Sequence, residues 1–173
     1  NILGKVQSDL YSQNSFLGKW MSSKNAIEMI NGNLFAHGGI HPDVAKTNLN
    51  LDEVNQIIRR NYFEPYYPKA EKTDENLLIS TRRGICWYRG YFKDDLTQEQ
   101  VDSGLDKFNA KSIVVGHTLQ SKVNRKFNGR VIGIDVKHPK DYQKNWPKGA
   151  SEGLLIDGEK YYRIYNKGEK EEI

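Results

Sequence analysis

Two histidines far apart in the chain share one local setting. His37 closes the apolar run of Asn33-Leu-Phe-Ala-His-Gly-Gly-Ile-His-Pro42, and His117 closes that of Ser112-Ile-Val-Val-Gly-His-Thr118. Each reads as an imidazole that a strand delivers to a loop, with glycine beside it. Glycine supplies positive φ or close approach of the main chain, so Gly38 and Gly39 predict that something comes near the backbone after His37. In open α/β sheets ligands gather outside the carboxyl ends of strands, which makes both histidines candidate site residues. A single strand-end histidine reads as readily as a hydrogen-bonded loop residue. Two in matching settings shift the reading toward metal ligation, a role that suits the neutral imidazole.

A third stretch carries cations. In Thr81-Arg-Arg-Gly-Ile-Cys-Trp-Tyr-Arg-Gly-Tyr-Phe92, Arg82, Arg83 and Arg89 lie among Trp87, Tyr88, Tyr91 and Phe92. Interleaved arginine and aromatic residues suit stacking or phosphate recognition. They equally suit a packed loop whose arginines reach out to water, and the residue types leave both readings open.

The elements that must position these residues are legible in the pattern. Phe16, Leu17 and Trp20 are spaced as the buried face of a short helix. Asn31-Gly32 between the apolar runs 26–30 and 34–36 signals a hairpin whose second strand ends at His37. Leu51, Val54, Ile57 and Ile58 lie on one face of a helix over 50–60 with Asn50 as N-cap. Residues 62–72, with Pro65 and Pro68, read as a surface loop, and 77–80 as a short strand or a helix end. Thr97-Gln-Glu-Gln100 is a capping box for a helix that carries Val101, Leu105 and Phe108. That helix leads into the strand that ends at His117, making one αβ unit. Lys122, Arg125, Lys126 and Arg130 read as a solvated basic turn around Asn128-Gly129. A strand over 130–136 carries Asp135, and the loop 137–140 holds His138. A terminal hairpin turns at Asp157-Gly158-Glu159, and the charged tail 167–173 is expected to fray.

Length and composition bound the class. The 173 residues fit one domain with a sizeable core, and 37% hydrophobic with 28% charged residues describe a globular chain. No apolar run is long enough for a membrane helix. The net charge of +4 is scattered along the chain, which steers anions weakly and gives little reason to expect nucleic-acid binding. The single cysteine, Cys86, excludes an internal disulfide, leaves the redox compartment and localisation open, and sits between Ile85 and Trp87 as a small hydrophobe rather than a reactive thiol. The chain opens on Asn1 rather than an initiator Met, so the true amino terminus is expected upstream.

Five landmarks in order, Gly18-Lys-Trp-Met-Ser-Ser-Lys24, Phe35-Ala-His-Gly-Gly-Ile-His-Pro42, Trp87-Tyr-Arg-Gly-Tyr91, Val114-Val-Gly-His-Thr118 and Ile132-Gly-Ile-Asp135, resemble the second half of a calcineurin-like metallophosphoesterase. The resemblance covers most of the chain and is to the phosphoprotein phosphatase type, in its bacterial Shewanella-like branch. It implies an α/β fold, the second half of a β-sandwich flanked by helices, with a mixed sheet and the terminal hairpin. It also implies a dinuclear centre of manganese, iron or zinc with His37 and His117 as ligands of one metal, and Arg89 as a binder of phosphate oxygens. The physical logic stands beside the name. Two metals can orient a hydroxide for in-line attack while neutralising phosphoryl charge, and a guanidinium offers paired N–H groups to two oxygens as lysine does not. His41 and His138 carry no assigned role, nor does Asp135.

The departure from the family pattern is large. Its Gly-Asp-x-His, Gly-Asp-x-x-Asp-Arg and Gly-Asn-His-Glu motifs, which would supply the remaining ligands and the general acid, are absent from this sequence. Residues 1–173 are therefore expected to be the carboxy-terminal portion of one phosphoesterase domain whose amino-terminal half is missing and is its natural partner. Alone the portion is expected to be inactive, to bind metal weakly and to leave an apolar face uncovered. The expected substrate of the parent is a phosphorylated protein, with serine or threonine esters suggested by the branch; nucleotides or small phosphomonoesters are the alternative. A different class, a non-catalytic polyanion-binding module, would use Arg82, Arg83, Arg89, Lys122, Arg125 and Lys126.

Overall fold

The computed structural model describes residues 2–64, 70, 72–136 and 152–173. His138, the loop 137–140 and most of the proline-bearing part of the loop at 62–72 lie outside them. In chain order the described elements are α1 (Ile2–Leu10), α2 (Phe16–Ser22), β1 (Ile27–Ile30), β2 (Asn33–Ala36), α3 (Pro42–Ala45), α4 (Leu51–Asn61), α5 (Asp74–Leu78), α6 (Gly90–Lys93), α7 (Gln98–Asp106), β3 (Ser112–Val115), β4 (Asn124–Lys126), β5 (Val131–Gly133), β6 (Glu152–Asp157), β7 (Lys160–Tyr165) and β8 (Lys170–Glu172).

The first five strands form one mixed sheet in the order β1-β2-β3-β5-β4. β2, β3 and β5 run parallel, and β1 and β4 are antiparallel at the two edges. Strand alternation sorts its side chains between two faces. Leu34, Ile113, Val115 and Val131 join Val44, Val54, Ile57, Leu78, Val101 and Leu105 from the helices in the larger core. Phe35, Val114 and Ile132 point the other way and meet Leu154, Ile156 and Tyr161 of the separate antiparallel sheet β6-β7-β8. β3 is buried along its whole length, which explains its unbroken apolar run.

Several expectations stand. Asn31 and Gly32 take φ of 51° and 79°, the positive pair a two-residue hairpin requires, and β1 and β2 pair around them. α4 and α7 each begin with a reciprocal capping box, on Asn50 with Glu53 and on Thr97 with Gln100.

Four local expectations need correction. Phe16 and Trp20 do lie on a helix but are 81% and 53% exposed, because among the described residues α2 turns no face onto the core; its buried residue is Gly18, where a Cβ would lie 2.0 Å from the Ser12 carbonyl oxygen. Of the two readings open for 77–80 the helix end holds, for the segment closes α5, which is started by the Thr73 side chain accepting from Asn76 N. The basic cluster is an edge strand and its turn rather than a solvated loop: Arg125 donates to the Ile173 carbonyl at 2.9 Å and stacks over Tyr161 at 4.3 Å, while Arg130 pairs with Asp106 at 2.6 Å. The tail is ordered as β8 on β7. β5 also ends at Gly133, so Asp135 follows the strand instead of riding on it.

Candidate active site

β2 and β3 pair in parallel with Ala36 opposite Val115, so His37 and Gly116 leave the sheet side by side. Gly116 N donates to the His37 carbonyl at 3.0 Å. His117 takes a left-handed φ of 59°, unusual for a residue with a Cβ, and its ring meets that of His37. Nδ1 of His117 stands 3.0 Å from Nε2 of His37, with ring centroids 4.7 Å apart.

The loop after Ile85 closes over this pair. The Ile85 carbonyl accepts from Gly38 N and Gly39 N at 2.9 and 3.0 Å. A Cβ on Gly38 would lie 2.6 Å from Tyr88 N, and one on Gly39, whose φ is +141°, would lie 2.5 Å from the Tyr91 ring. What comes near the backbone after His37 is thus the protein's own loop. Gly116 differs, since a Cβ there would sit 3.6 Å from His37 Nδ1, an ordinary contact. Arg89 occupies the N-cap position of α6, is exposed, and its Nη1 donates to the His117 carbonyl. Trp87 sets its indole edge against the His117 ring at 5.2 Å. His37, His117 and Arg89 are therefore brought together at one rim of the sheet.

The electrostatics favour a lone pair on the His117 ring. Burial lowers the pKa of His117, with the positive charge of Arg89 and the proximity of His37 adding to that and Asp135 opposing it. The ring is neutral near neutral pH, the form that ligates metal. Its Nε2 is buried with no hydrogen-bond partner among the described residues. Two nitrogens each about 2.1 Å from one ion stand roughly 3.0–3.4 Å apart at angles of about 90–110°, and the separation of this pair matches that spacing. The same spacing serves an N–H···N hydrogen bond when no cation is bound. Among the described residues no group of three or more His, Cys, Asp and Glu side chains could hold an ion, so a complete site needs donors beyond these two.

His41 serves the backbone instead, as the N-cap of α3, where its Nδ1 accepts from Asp43 N at 3.0 Å. Asp43 in turn pairs with Lys46 at 2.7 Å and Arg83 at 2.6 Å. Cys86 is half-buried and burial pushes its thiol up, in keeping with a packing role. Next to the histidines lies a cavity of about 530 Å³ whose walls include Arg82, Arg83, Trp87, Tyr88, Arg89 and Asp94. The sequence pattern offered the arginines and aromatics of this stretch but not their sharing of one cavity, which depends on the turn at Gly84, where a Cβ would lie 2.4 Å from two carbonyl oxygens.

No family model matches the chain. It is 24% identical over 177 residues to the uncharacterized protein R398 of Acanthamoeba polyphaga mimivirus, a match spanning 87% of this chain and 70% of that protein. Among solved structures it is similar to a cold-active protein tyrosine phosphatase at 33% identity and a TM-score of 0.77, covering 95% of this chain and 46% of that one. A point mutant of a cold-active protein tyrosine phosphatase and the phosphatase of a psychrophilic Shewanella species match with the same identity and TM-score, each covered over 47%. The chain thus has a phosphatase-type α/β fold and spans about half the length of the solved phosphatases it matches.

Proposed function

We propose that the protein carrying this chain is a metal-dependent phosphoric monoester hydrolase of the calcineurin-like type that acts on phosphorylated proteins, with residues 1–173 as the carboxy-terminal portion of its catalytic domain. The observation that carries this reading is the convergence of His37 Nε2 and His117 Nδ1 at 3.0 Å with Arg89 bonded to the backbone beside them. The phosphatase-type fold supports it. Phosphotyrosine is the first substrate class to test, because the neighbours are protein tyrosine phosphatases; phosphoserine and phosphothreonine peptides come next, and nucleotides after them.

In this reading His37 Nε2 and His117 Nδ1 would hold one ion of a manganese, iron or zinc pair. When bound, such a pair supplies charge neutralisation at the phosphoryl group and activation of water. Arg89 binds two phosphate oxygens with the N–H groups it does not use on the His117 carbonyl, and that bond fixes the direction of the fork. Trp87, packed on His117, keeps one side of the imidazole dry. The remaining ligands and the general acid come from the rest of the polypeptide, so this chain alone is silent.

The polyanion-binding alternative has less support. Arg125 packs on Tyr161 and the chain end, while Arg82, Arg83 and Arg89 line a cavity that includes none of the β4 cations.

The test is elemental analysis and phosphate release on the full-length protein and its His37→Ala, His117→Ala and Arg89→Lys variants. Each histidine variant should lose metal and at least about 100-fold of activity. Arg89→Lys should keep its metal and lose roughly 10- to 100-fold in kcat/KM, because an ammonium cannot bridge two oxygens. Full metal content and turnover in both histidine variants would overturn the reading.

A further inference from the structure

The cavity beside the histidines has chemistry of its own. Its walls carry three guanidinium groups, of Arg82, Arg83 and Arg89, against one carboxylate, that of Asp94. Arg83 is ion-paired with Asp43 at 2.6 Å, and Arg82 is exposed. The backbone N–H of Arg82 is tied to Ser80 Oγ at 3.1 Å, which fixes where the side chain starts without using its fork.

At the floor is Tyr88, 2% exposed, whose hydroxyl is buried with no hydrogen-bond partner among the described residues. That hydroxyl lies directly over Gly90, a residue of the same wall, where a Cβ would be 1.9 Å from it. So little of that hydroxyl is accessible that a ligand in the cavity meets the guanidinium of Arg82 rather than the phenol. The cavity also adjoins the candidate catalytic rim, for Arg89 and Trp87 belong to both.

We propose that this cavity is a subsite for the carboxylate of an Asp or Glu one or two positions from the phosphorylated residue of a peptide substrate, anchored by the exposed guanidinium of Arg82. The proposal rests on the protein-phosphatase reading and adds a sequence preference to it. Successive residues of an extended peptide advance about 3.3 Å each, so with its phosphate on Arg89 a neighbouring side chain reaches the adjacent cavity. A carboxylate matches a guanidinium fork in two parallel hydrogen bonds. Asp94 in the wall penalises a doubly charged second phosphate more than a singly charged carboxylate. A base would find a single exposed aromatic ring, Trp87 at 49%.

The experiment compares kcat/KM of the full-length enzyme on three phosphotyrosine peptides that differ only in flanking Glu, Gln or Lys, with p-nitrophenyl phosphate as a small ester. The Glu peptide should exceed the Gln peptide roughly fivefold, the scale of one partly exposed charge pair. Arg82→Gln should bring that ratio near one, and Arg82→Glu should invert the ranking of Glu and Lys peptides. Turnover of p-nitrophenyl phosphate with equal rates on all three peptides, or an Arg82→Glu variant with the original ranking, overturns the subsite and leaves the phosphatase reading intact. No turnover of any phosphoester overturns both.

Discussion

At the scale of single residues, the candidate site is held by places where a side chain does not fit. Gly38, Gly39 and Gly90 each face atoms within 2.6 Å of where a Cβ would stand, and together they lock the 85–91 segment onto the end of β2. Gly90 is the most demanding, since its neighbour is the hydroxyl end of Tyr88, a ring packed edge-on against both His41 and Tyr91. Gly90→Ala must push that ring out of a tight core or shift the turn that carries Arg89. Overpacking of this kind costs about 1–3 kcal/mol. The variant should lower the denaturant midpoint and, on the proposed function, weaken binding of inorganic phosphate to the full-length protein; an unchanged midpoint with unchanged binding would show that the turn gives way freely. His37 and His117 were legible as candidates because each follows an apolar strand and sits beside glycine, whereas Arg89 was singled out among the three arginines only by the family resemblance. Tyr88 was not legible, because an aromatic residue in an apolar run carries no sign of an unpartnered hydroxyl.

At the scale of elements, polar side chains decide where helices sit. Asn55 is buried on α4, and its amide oxygen accepts from Ala26 N and Ile27 N at 2.9 and 3.1 Å while its nitrogen donates to the Ile27 carbonyl at 2.9 Å. That side chain substitutes for a missing strand at the start of edge strand β1 and ties the helix to the sheet. Asn55→Ala should destabilise the protein by about 2–3 kcal/mol, since it strands several buried backbone groups. Asn50→Ala at the exposed cap of the same helix should cost about 1 kcal/mol. Chemical denaturation of both variants checks the order, and equal losses would refute the buried bridge.

The short helix α3 supplies a pH test. The hydrogen bond from Lys46 holds the Asp43 carboxyl below its usual range, with His41 and Arg83 helping against the effect of burial. A depressed carboxyl contributes stability above its unfolded value of about 4 and loses it as the pH falls through the folded value. The gap in unfolding midpoint between wild type and Asp43→Asn should therefore be present at neutral pH and shrink below about pH 4. A gap that widens on acidification would contradict the assignment. Asn50 and Thr97 announced their helices because capping boxes are local. The bridge from Asn55 to β1 spans 28 positions to Ile27, and nothing near either end foretells it.

At the scale of the whole molecule, two sheets are joined through a small polar knot inside an apolar interface. Tyr161 Oη of β7 donates to Asn33 Oδ1 of β2 at 2.5 Å, and Ser112 Oγ of β3 donates to the same oxygen at 2.7 Å. Arg163 adds a second tie, giving hydrogen bonds to the Val123 carbonyl at 3.0 and 2.7 Å. Tyr161→Phe should cost about 1–2 kcal/mol and increase amide exchange in β6 and β7 before the central sheet. Uniform acceleration across both sheets would mean that they unfold as one unit. Beside the knot lies an open groove of about 560 Å³ where Phe35, Val114, Leu154 and Ile156 share the walls with Asn31, Asn33, Lys111 and Glu159.

By itself the sequence determined what is written within a dozen residues: the Asn31-Gly32 hairpin, the capped helices α4 and α7, the buried strand β3 and the two histidines at strand ends. Turn chemistry, capping and hydrophobic periodicity act locally, so their signals survive without coordinates. Only the tertiary structure decided that Ala36 and Val115 share a register that sets one imidazole 3.0 Å from the other, that Phe16 and Trp20 face water, and that the basic stretch is an edge strand closed by the chain's last residue. Those outcomes depend on which strand pairs with which and on what surface is left to cover a helix face, and such choices are settled between segments that no local pattern connects.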